Sequence, residues 1–232
     1  FLLGLIIAVH FNKIKKPLAF TTIVCILLFD LLGISNRYID YDGFVSKGIA
    51  QNSFQQTTAD QAIIQDTTHY RVYEPKLRLT GARTAYFHNT IGGYHGAKPR
   101  RFEELFHYYN AHQIPGVLDM LNVKYILFPN QESGLLEPMR NPNVLGSVWT
   151  VQKLHEMPNA DSLLKRLKTT DFKKEAIFIK GSIGPEVTKE YEFDSLATIE
   201  LYEVAPNKMR YRSSSKFSQF AVFSEMYYSK GW

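Results

Sequence analysis

An apolar run near the start of the chain is the feature that most constrains how it can fold. The run is PLAFTTIVCILLFDLLGIS, and its residues 18–34 contain a single charged side chain, Asp30. A helix needs about 20 apolar residues to cross a bilayer, with about 17 as the lower limit. The run therefore predicts a membrane-spanning helix, and the rest of the chain is expected to fold beside a membrane.

A second apolar segment, FLLGLIIAVH, precedes this run, and the basic stretch FNKIKK joins the two. Two apolar segments separated by a short basic turn indicate a transmembrane helical hairpin over residues 1–35, with its first helix truncated. By the positive-inside rule, Lys13, Lys15 and Lys16 place the turn in the cytoplasm. Everything after Ser35 is then expected on the periplasmic or extracellular side of the cytoplasmic membrane, within a multi-pass protein.

A signal peptide and a buried soluble hairpin are the alternatives to a membrane anchor. A signal peptide carries its basic residues at its start and a small-residue cleavage site after its apolar part. Here an apolar segment precedes the lysines and GISNRYIDY lacks such a site, so we favour an anchor and expect membrane lipid as a partner. Asp30 has two interpretations: it faces a ligand site at the outer membrane surface, or it reaches the lipid headgroups at the interface.

Composition excludes several classes of protein. The formal net charge is +5, and no lysine-rich arm, zinc-finger spacing or RNA-binding aromatic signature occurs, so no nucleic-acid partner is expected. The single cysteine, Cys25, rules out a disulfide framework, and its apolar surroundings predict a buried side chain. Because the chain starts at Phe1 and ends within an aromatic run, we expect it to be a segment of a longer protein.

Residues 36–232 predict an extracytoplasmic domain in which helices and strands mix. Helices are expected after a cap at Thr57 or Thr58, after Asn159, in PGVLDMLNV, and in RRFEELFHYYNAH, whose apolar residues repeat on one face. Strands are expected in HYRVYEP, KYILFP, VWTVQKLHEM and EAIFIK, and NQESGLLEPMRNPNVLGS is expected to be a loop. From about residue 197, three alternating segments predict a β-rich end, an antiparallel meander. The predicted fold class is therefore α+β.

The segment TAYFHNTIGGYHGAKPRR is the main candidate site. Gly92 and Gly93 allow backbone conformations that expose N–H groups to an anion. Cations also flank a predicted helix start, which favours negative charge. These cations are Lys98, Arg100 and Arg101. The aromatic side chains able to stack on a sugar are Tyr86, Phe87 and Tyr94. The segment suggests a loop that holds the phosphate of a lipid-linked sugar, or an anionic acceptor.

The same segment has a structural alternative. In this alternative, the glycines form a turn and the aromatic side chains fill the core. The cations are then ordinary solvated side chains at the start of a helix. The pattern GGYHG matches no known phosphate loop. His88 and His95 are candidates for ligand contact, but a histidine pair without a third ligand at recognisable spacing is more typical of structure than of a metal site. No metal and no cofactor are therefore expected.

The second candidate site is FSEMYYSKGW at the end of the chain. Glu225 lies on a predicted strand in which apolar residues otherwise alternate. Tyr227, Tyr228 and Trp232 are close to it in the sequence. One interpretation is a half-exposed strand with an interfacial aromatic cluster. The other is a platform for a sugar, with Glu225 hydrogen-bonded to a hydroxyl.

Four phrases resemble a known family. They are TAYFHNTIGGYHGAKPRRFEEL, VLDMLNVKYILFPN, NPNVLGSVWTV and YEVAPNKMRYRSSSKFSQFAVFSEMYYSKGW. Together they resemble the C-terminal region of the YfhO family of bacterial multi-pass membrane proteins, in the form found in Bacteroidetes-like bacteria. The resemblance extends from about Leu31 to Trp232, with the phrases in the family's order.

The resemblance implies a relationship to the GT-C superfamily of glycosyltransferases. Such enzymes take a polyprenyl-phosphate sugar as donor, act on the outer side of the cytoplasmic membrane, and in some relatives modify an envelope glycan such as a teichoic acid. Their catalytic acid is expected in an outer loop near the N-terminus of the full protein. It lies outside this segment, so the catalytic residues stay unknown.

The sequence thus leads to a principal hypothesis and two competitors. The principal one is the outer C-terminal domain, with its anchor, of a glycosyltransferase-like membrane protein that recognises donor or acceptor. A non-catalytic envelope scaffold or glycan-binding domain is the first competitor. A soluble carbohydrate-binding module is the second.

Overall fold

The computed structural model describes residues 13–39, 41–51, 54–184 and 187–228, together with residues 4, 7 and 9–11. The chain divides into two compact units, Phe1–Gln55 and Gln56–Trp232.

The first unit is dominated by helix α1, Lys16–Tyr38, which is followed by a 3₁₀ turn, Tyr41–Gly43, and the short helix α2, Lys47–Gln51. Within the described part of the chain, α1 is the one helix long and apolar enough to cross a membrane. Its 23 residues span about 35 Å at 1.5 Å per residue, against about 30 Å of hydrocarbon. This length and composition are compatible with a membrane location.

The side chains of α1 suit apolar surroundings. Ala19 is its one buried residue, and Cys25, which the sequence predicted to be buried, is exposed on the helix. The hydroxyls of Thr21 and Thr22 donate to carbonyl oxygens four residues earlier, at 3.0 and 2.9 Å, so they need no water. The expected hairpin is not confirmed, because most of its first limb lies outside the described residues.

The second unit mixes helices and strands, which confirms the α+β class. Its helices are α3 (Thr58–Ile64), α4 (Ala82–Phe87), α5 (Arg100–His112), α6 (Pro115–Met120) and α7 (Ala160–Arg166), with a 3₁₀ turn at Leu167–Thr169. Its strands are β1 (Arg71–Tyr73), β2 (Val123–Pro129), β3 (Leu136–Arg140), β4 (Val148–Val151), β5 (Lys153–Met157), β6 (Glu175–Ile179), β7 (Thr198–Ala205), β8 (Lys208–Ser214) and β9 (Phe220–Phe223).

Four small sheets organise these strands. The first has the order β1-β2-β3, with β1 parallel and β3 antiparallel to β2. Strand β4 pairs with β9 antiparallel, β5 pairs with β6 parallel, and β7 and β8 form an antiparallel hairpin. Strand β4 is thus joined to a strand about 70 residues later in the chain, which places the segment after β9 at the end of β4.

Three predictions about strands are wrong. The predicted loop after β2 contains β3, whose Pro138 is tolerated because β3 is an edge strand. The predicted single strand VWTVQKLHEM divides at Gln152, whose N–H and carbonyl bond Lys174 and Tyr191, so β4 and β5 join different sheets. The expected three-stranded meander ends after two strands. Asp194 binds the chain just beyond β8, at Ser215 and Lys216, and β9 then pairs with β4.

The main core packs around α5. Phe102, Phe106 and Tyr109 lie on its apolar face, as the sequence predicted, and all three are buried. The ring of Tyr73, from β1, meets those of Phe106 and Tyr109 edge-on at centroid distances of 5.8 and 6.3 Å. The start of α5, which carries Arg100 and Arg101, is therefore fixed against the sheet.

Candidate functional site

A cavity of about 690 Å³ lies where the start of α5, the end of α6, β4 and the segment after β9 meet. It is called the arginine pocket here. Its polar and aromatic lining includes Arg71, Arg100, Arg101, Trp149, Glu225, Tyr227 and Tyr228. The pocket thus unites two candidate segments that the sequence left apart, the start of α5 and the end of the chain.

Arg71 and Glu225 form the polar floor of the pocket. Arg71 Nη2 donates to Glu225 Oε2 at 2.8 Å, and Nη1 donates to the carbonyl and hydroxyl oxygens of Ser224 at 2.6 and 2.9 Å. The same Nη1 donates to the carbonyl of Leu121 at 3.0 Å. This one guanidinium therefore ties β1 and α6 to the segment after β9.

The Glu225 carboxylate is held ionised. Burial raises its pKa, but the hydrogen bond from His69 and the charge of Arg71 outweigh burial, so the pKa lies below its ordinary value. His69 Nε2 lies 3.4 Å from Glu225 Oε1. Burial and the Glu225 charge, partly offset by Arg71, raise the pKa of the neighbouring Tyr211. Glu225 is thus an acceptor of hydrogen bonds and not a proton donor near neutral pH.

Arg100 and Arg101 contribute positive charge at the rim. Arg100 is occupied in part, since its Nε donates to Glu104 Oε1 at 2.7 Å along the helix. Arg101 has no hydrogen bond or ion pair with any described residue, and its side chain lines the pocket. Both residues lie in the first turn of α5, where the helix dipole also favours an anion. The rim is therefore suited to hold a negatively charged group.

Aromatic side chains form the remaining walls. The indole of Trp149 is oriented by a hydrogen bond from Nε1 to the carbonyl of Phe172 at 2.9 Å. Tyr227 and Tyr228 are exposed, which leaves their ring faces open to a ligand. Trp232, the other aromatic of this cluster in the sequence, lies outside the described residues.

Gly92 and Gly93 are required by the path of the backbone. A Cβ on Gly92 would lie 2.6 Å from the Cα of Leu79, and Gly93 has a positive φ of 140°. The N–H of Gly92 donates to the Thr90 hydroxyl and that of Gly93 donates to the Leu79 carbonyl. Both amide groups expected to bind an anion are therefore engaged within the chain.

The two histidines of this segment differ in exposure and in their contacts. His88 is buried, and its Nε2 lies 3.0 Å from Oδ1 of the fully buried Asp60. Asp60 also pairs with Arg83 and closes the capping box of α3 with Thr57. Burial raises the Asp60 pKa, but the hydrogen bonds from Thr57 and His88 and the Arg83 charge lower it below the ordinary value. His88 thus takes part in a buried polar network, whereas His95 is exposed.

The remaining predicted site residues lie elsewhere on the surface. Tyr86 and Tyr94 are exposed, and Lys98 donates to the carbonyl of His95 at 2.9 Å. Asp30 is exposed on α1, in the first unit. None of these four side chains lines the arginine pocket as described.

Sequence reasoning missed Arg71, Trp149 and His69. HYRVY was identified as a strand, but no local signal indicates that Arg71 meets a glutamate 154 positions later. Within the described residues no group of His, Cys, Asp and Glu side chains could hold a metal ion. With its ionised carboxylate, cationic rim and aromatic walls, the pocket is equipped to bind an anionic, hydroxyl-bearing ligand.

Comparisons with protein-family models, with curated proteins and with solved structures find no match to this chain.

Proposed function

We propose that the arginine pocket recognises a phosphorylated saccharide, and that the chain is the outer C-terminal part of a membrane protein acting in envelope glycan modification. The observation that supports this proposal is Arg101, a cation without a protein partner among the described residues, placed in one cavity with aromatic walls and an ionised carboxylate. Phosphate prefers the guanidinium group, and sugars stack on aromatic rings.

The ligand's parts are assigned by chemistry. The phosphate lies at the first turn of α5, beside Arg101, whose guanidinium pairs with no described residue. The sugar ring lies against Tyr227 or Tyr228. Glu225 accepts a hydrogen bond from a sugar hydroxyl, because an ionised carboxylate has about four lone-pair positions and Arg71 and His69 use two of them.

The proposed role is recognition without bond formation. A glycosyltransferase needs a base or acid that exchanges protons during transfer. Glu225 is held ionised by Arg71 and His69 and is a poor proton donor. The resemblance to YfhO proteins and to GT-C enzymes agrees with this division, since it assigns the catalytic acid to another part of a longer protein.

The membrane context of the proposal comes from α1 and from the lysines before it. A helix of this length and composition suits a membrane span, and the lysines favour a cytoplasmic start. The second unit then lies on the outer side of the cytoplasmic membrane of a multi-pass protein. There it meets a polyprenyl-phosphate sugar or an envelope glycan acceptor.

A cellular experiment tests the proposal. A strain lacking the gene is compared with strains that carry the wild type, Arg101→Gln, or Arg140→Gln, a control arginine on β3 outside the pocket. We expect deletion to remove one decoration from an envelope glycan. The wild type and the control variant should restore the decoration, and Arg101→Gln should not. Equal restoration by the wild type and both variants would contradict the assignment of Arg101 to ligand binding.

A non-catalytic glycan-binding scaffold is the second candidate. The paired state of Glu225 favours it as well, because no described acid in the pocket is placed for proton transfer. The two candidates differ in the deletion strain. A scaffold predicts unchanged glycan chemistry with altered envelope integrity, whereas a transferase predicts a missing sugar.

A further inference from the structure

A second cavity of about 770 Å³ lies near the first and is lined mostly by polar side chains. This polar cavity is formed where the segment before β1 and the start of β4 face strand β7. Its lining includes Thr67, His69, Asn89, Ser147, Glu200 and Tyr202. The volume falls within the range of about 300–1,000 Å³ that is typical of small-molecule sites.

His69 links the two cavities. Its Nε2 faces Glu225, which lines the arginine pocket, while His69 itself lines the polar cavity. Nε2 is engaged by the Glu225 carboxylate, which leaves the other ring nitrogen, Nδ1, for a ligand. Nδ1 has no hydrogen-bond partner in the part of the chain that the structure describes. Arg71 holds Glu225, and Glu225 holds His69, so the position of the imidazole ring is fixed.

Three other polar side chains of the cavity are also available. The side chains of Thr67, Asn89 and Glu200 make no hydrogen bond or ion pair with described residues. They offer a hydroxyl, an amide and a carboxylate, which are the groups that bind sugar hydroxyls. Tyr202 is half exposed, and the Arg212 guanidinium lies 5.2 Å from its ring centroid. An aromatic ring among planar polar side chains suits the apolar face and hydroxyl edge of a pyranose.

The charge at the cavity is close to balanced, because Glu200 lies opposite Arg212 in the register of β7 and β8. A balanced site favours a neutral ligand over an anion. Among the described residues no lysine or arginine lines the cavity itself, and Glu200 is its one acidic residue. We propose that the polar cavity binds a neutral saccharide, with Nδ1 of His69 forming a hydrogen bond with a ligand hydroxyl. This site is separate from the arginine pocket and does not depend on the function proposed for that pocket.

Saturation-transfer NMR on the whole chain in nanodiscs tests this site. The probes are the methyl β-glycosides of glucose, galactose and N-acetylglucosamine. We expect at least one probe to receive saturation and to shift the side-chain ¹⁵N resonances of His69. Tyr202→Ala should weaken its binding about tenfold or more, and His69→Gln should weaken it as well. Tyr94→Ala, at an exposed tyrosine outside the cavity, should leave binding unchanged.

Arg101→Gln separates the two sites, because Arg101 lines the arginine pocket and not the polar cavity. The proposal expects this variant to bind the neutral probe normally even if it loses phosphorylated sugars. Absence of binding by all three glycosides would overturn the proposal. Equal binding by the wild type and Tyr202→Ala would overturn it too, as would loss of the neutral probe in Arg101→Gln.

Discussion

At the scale of single residues, Gly92 shows how a sequence motif is used for packing. The GG pair suggested a loop that exposes N–H groups, yet the chain passes so close to Leu79 that Gly92 has no room for a side chain. The Gly93 amide then donates to the Leu79 carbonyl at 3.0 Å. This crossing fixes the segment that leads into α5, so the glycines act on the arginine pocket through position and not through contact.

Gly92→Ala tests this interpretation. The added Cβ would meet backbone atoms of Leu79 at 2.6–2.8 Å, which the chain can relieve only by shifting. We expect the free energy of unfolding to fall by about 1–3 kcal/mol, measured by urea denaturation. Gly96→Ala is the matched control, because a Cβ there meets nothing within 4 Å, and its effect should stay within about 0.5 kcal/mol. Equal effects of the two substitutions would refute the close-approach argument.

The residue scale also shows what sequence can and cannot supply. Arg100, Arg101 and Glu225 were selected because charge and aromatic neighbours stand beside them in the sequence. All three line one cavity. Arg71 and His69 escaped notice because their partner lies more than 150 positions away, and such long-range pairing leaves no local pattern. His88 has polar character in the sequence, but its buried partner Asp60 is visible only in the fold.

At the scale of elements, the helices with clear local signals were predictable, but α2, α4 and the strand partners were not. The sequence suggested a loop at TAYF, where α4 in fact forms. Helix α5 has apolar residues at helical spacing, α3 begins with a capping box at Thr57, and α7 begins at Asn159; each of these signals is local. Strand pairing depends on distant residues. For that reason the pairing of β9 with β4, and the existence of β3, could not be derived from the alternation of side chains.

The cap of α7 gives a test at this scale. The Asn159 side chain accepts a hydrogen bond from the N–H of Ser162 at 2.9 Å, which satisfies one of the helix's free donors. Asn159→Ala should lower the free energy of unfolding by about 1 kcal/mol in chemical denaturation. Asn207→Ala, in the turn between β7 and β8, removes an exposed asparagine that caps no helix and should change it by less than about 0.5 kcal/mol. An unchanged free energy of unfolding in Asn159→Ala would show that the cap is dispensable.

At the scale of the whole molecule, the partly buried carboxylate of Glu225 and the fully buried one of Asp60 link stability to pH. The folded pKa values of Glu225 and Asp60 lie below their ordinary values of 4.5 and 3.8. A depressed folded pKa means that the unfolded chain binds protons first. The stabilisation from both groups is therefore present above these values and is lost as pH falls through the folded pKa values.

The expected result is a free energy of unfolding that decreases below about pH 4.5, measured by denaturation at a series of pH values. Glu225→Gln should make this decrease shallower, because one of the protons linked to unfolding is removed. The matched control is Glu132→Gln, an exposed loop residue whose side chain forms no ion pair with described residues, and its profile should follow the wild type. Identical profiles for wild type and Glu225→Gln would contradict the assigned role of Glu225.

The orientation of the chain belongs to the same scale. If the lysines before α1 face the cytoplasm, the second unit lies outside. Protease added to intact spheroplasts should then cleave beyond Ser35, while a cytoplasmic marker protein stays whole. Protection of that region until the membrane is permeabilised would show the opposite orientation. It would also contradict the proposed binding of lipid-linked sugars on the outer side.

Calorimetric titration of the whole chain in detergent with glucose 1-phosphate tests the central claim most directly. The account predicts one binding event whose affinity weakens with added salt. The affinity should fall about tenfold or more in Arg101→Gln, because a charge-assisted hydrogen bond contributes about 1.5–3 kcal/mol. Arg140→Gln should bind like the wild type. No binding by the wild type, or equal affinity in the wild type and Arg101→Gln, would contradict the claim that the arginine pocket recognises a phosphorylated sugar.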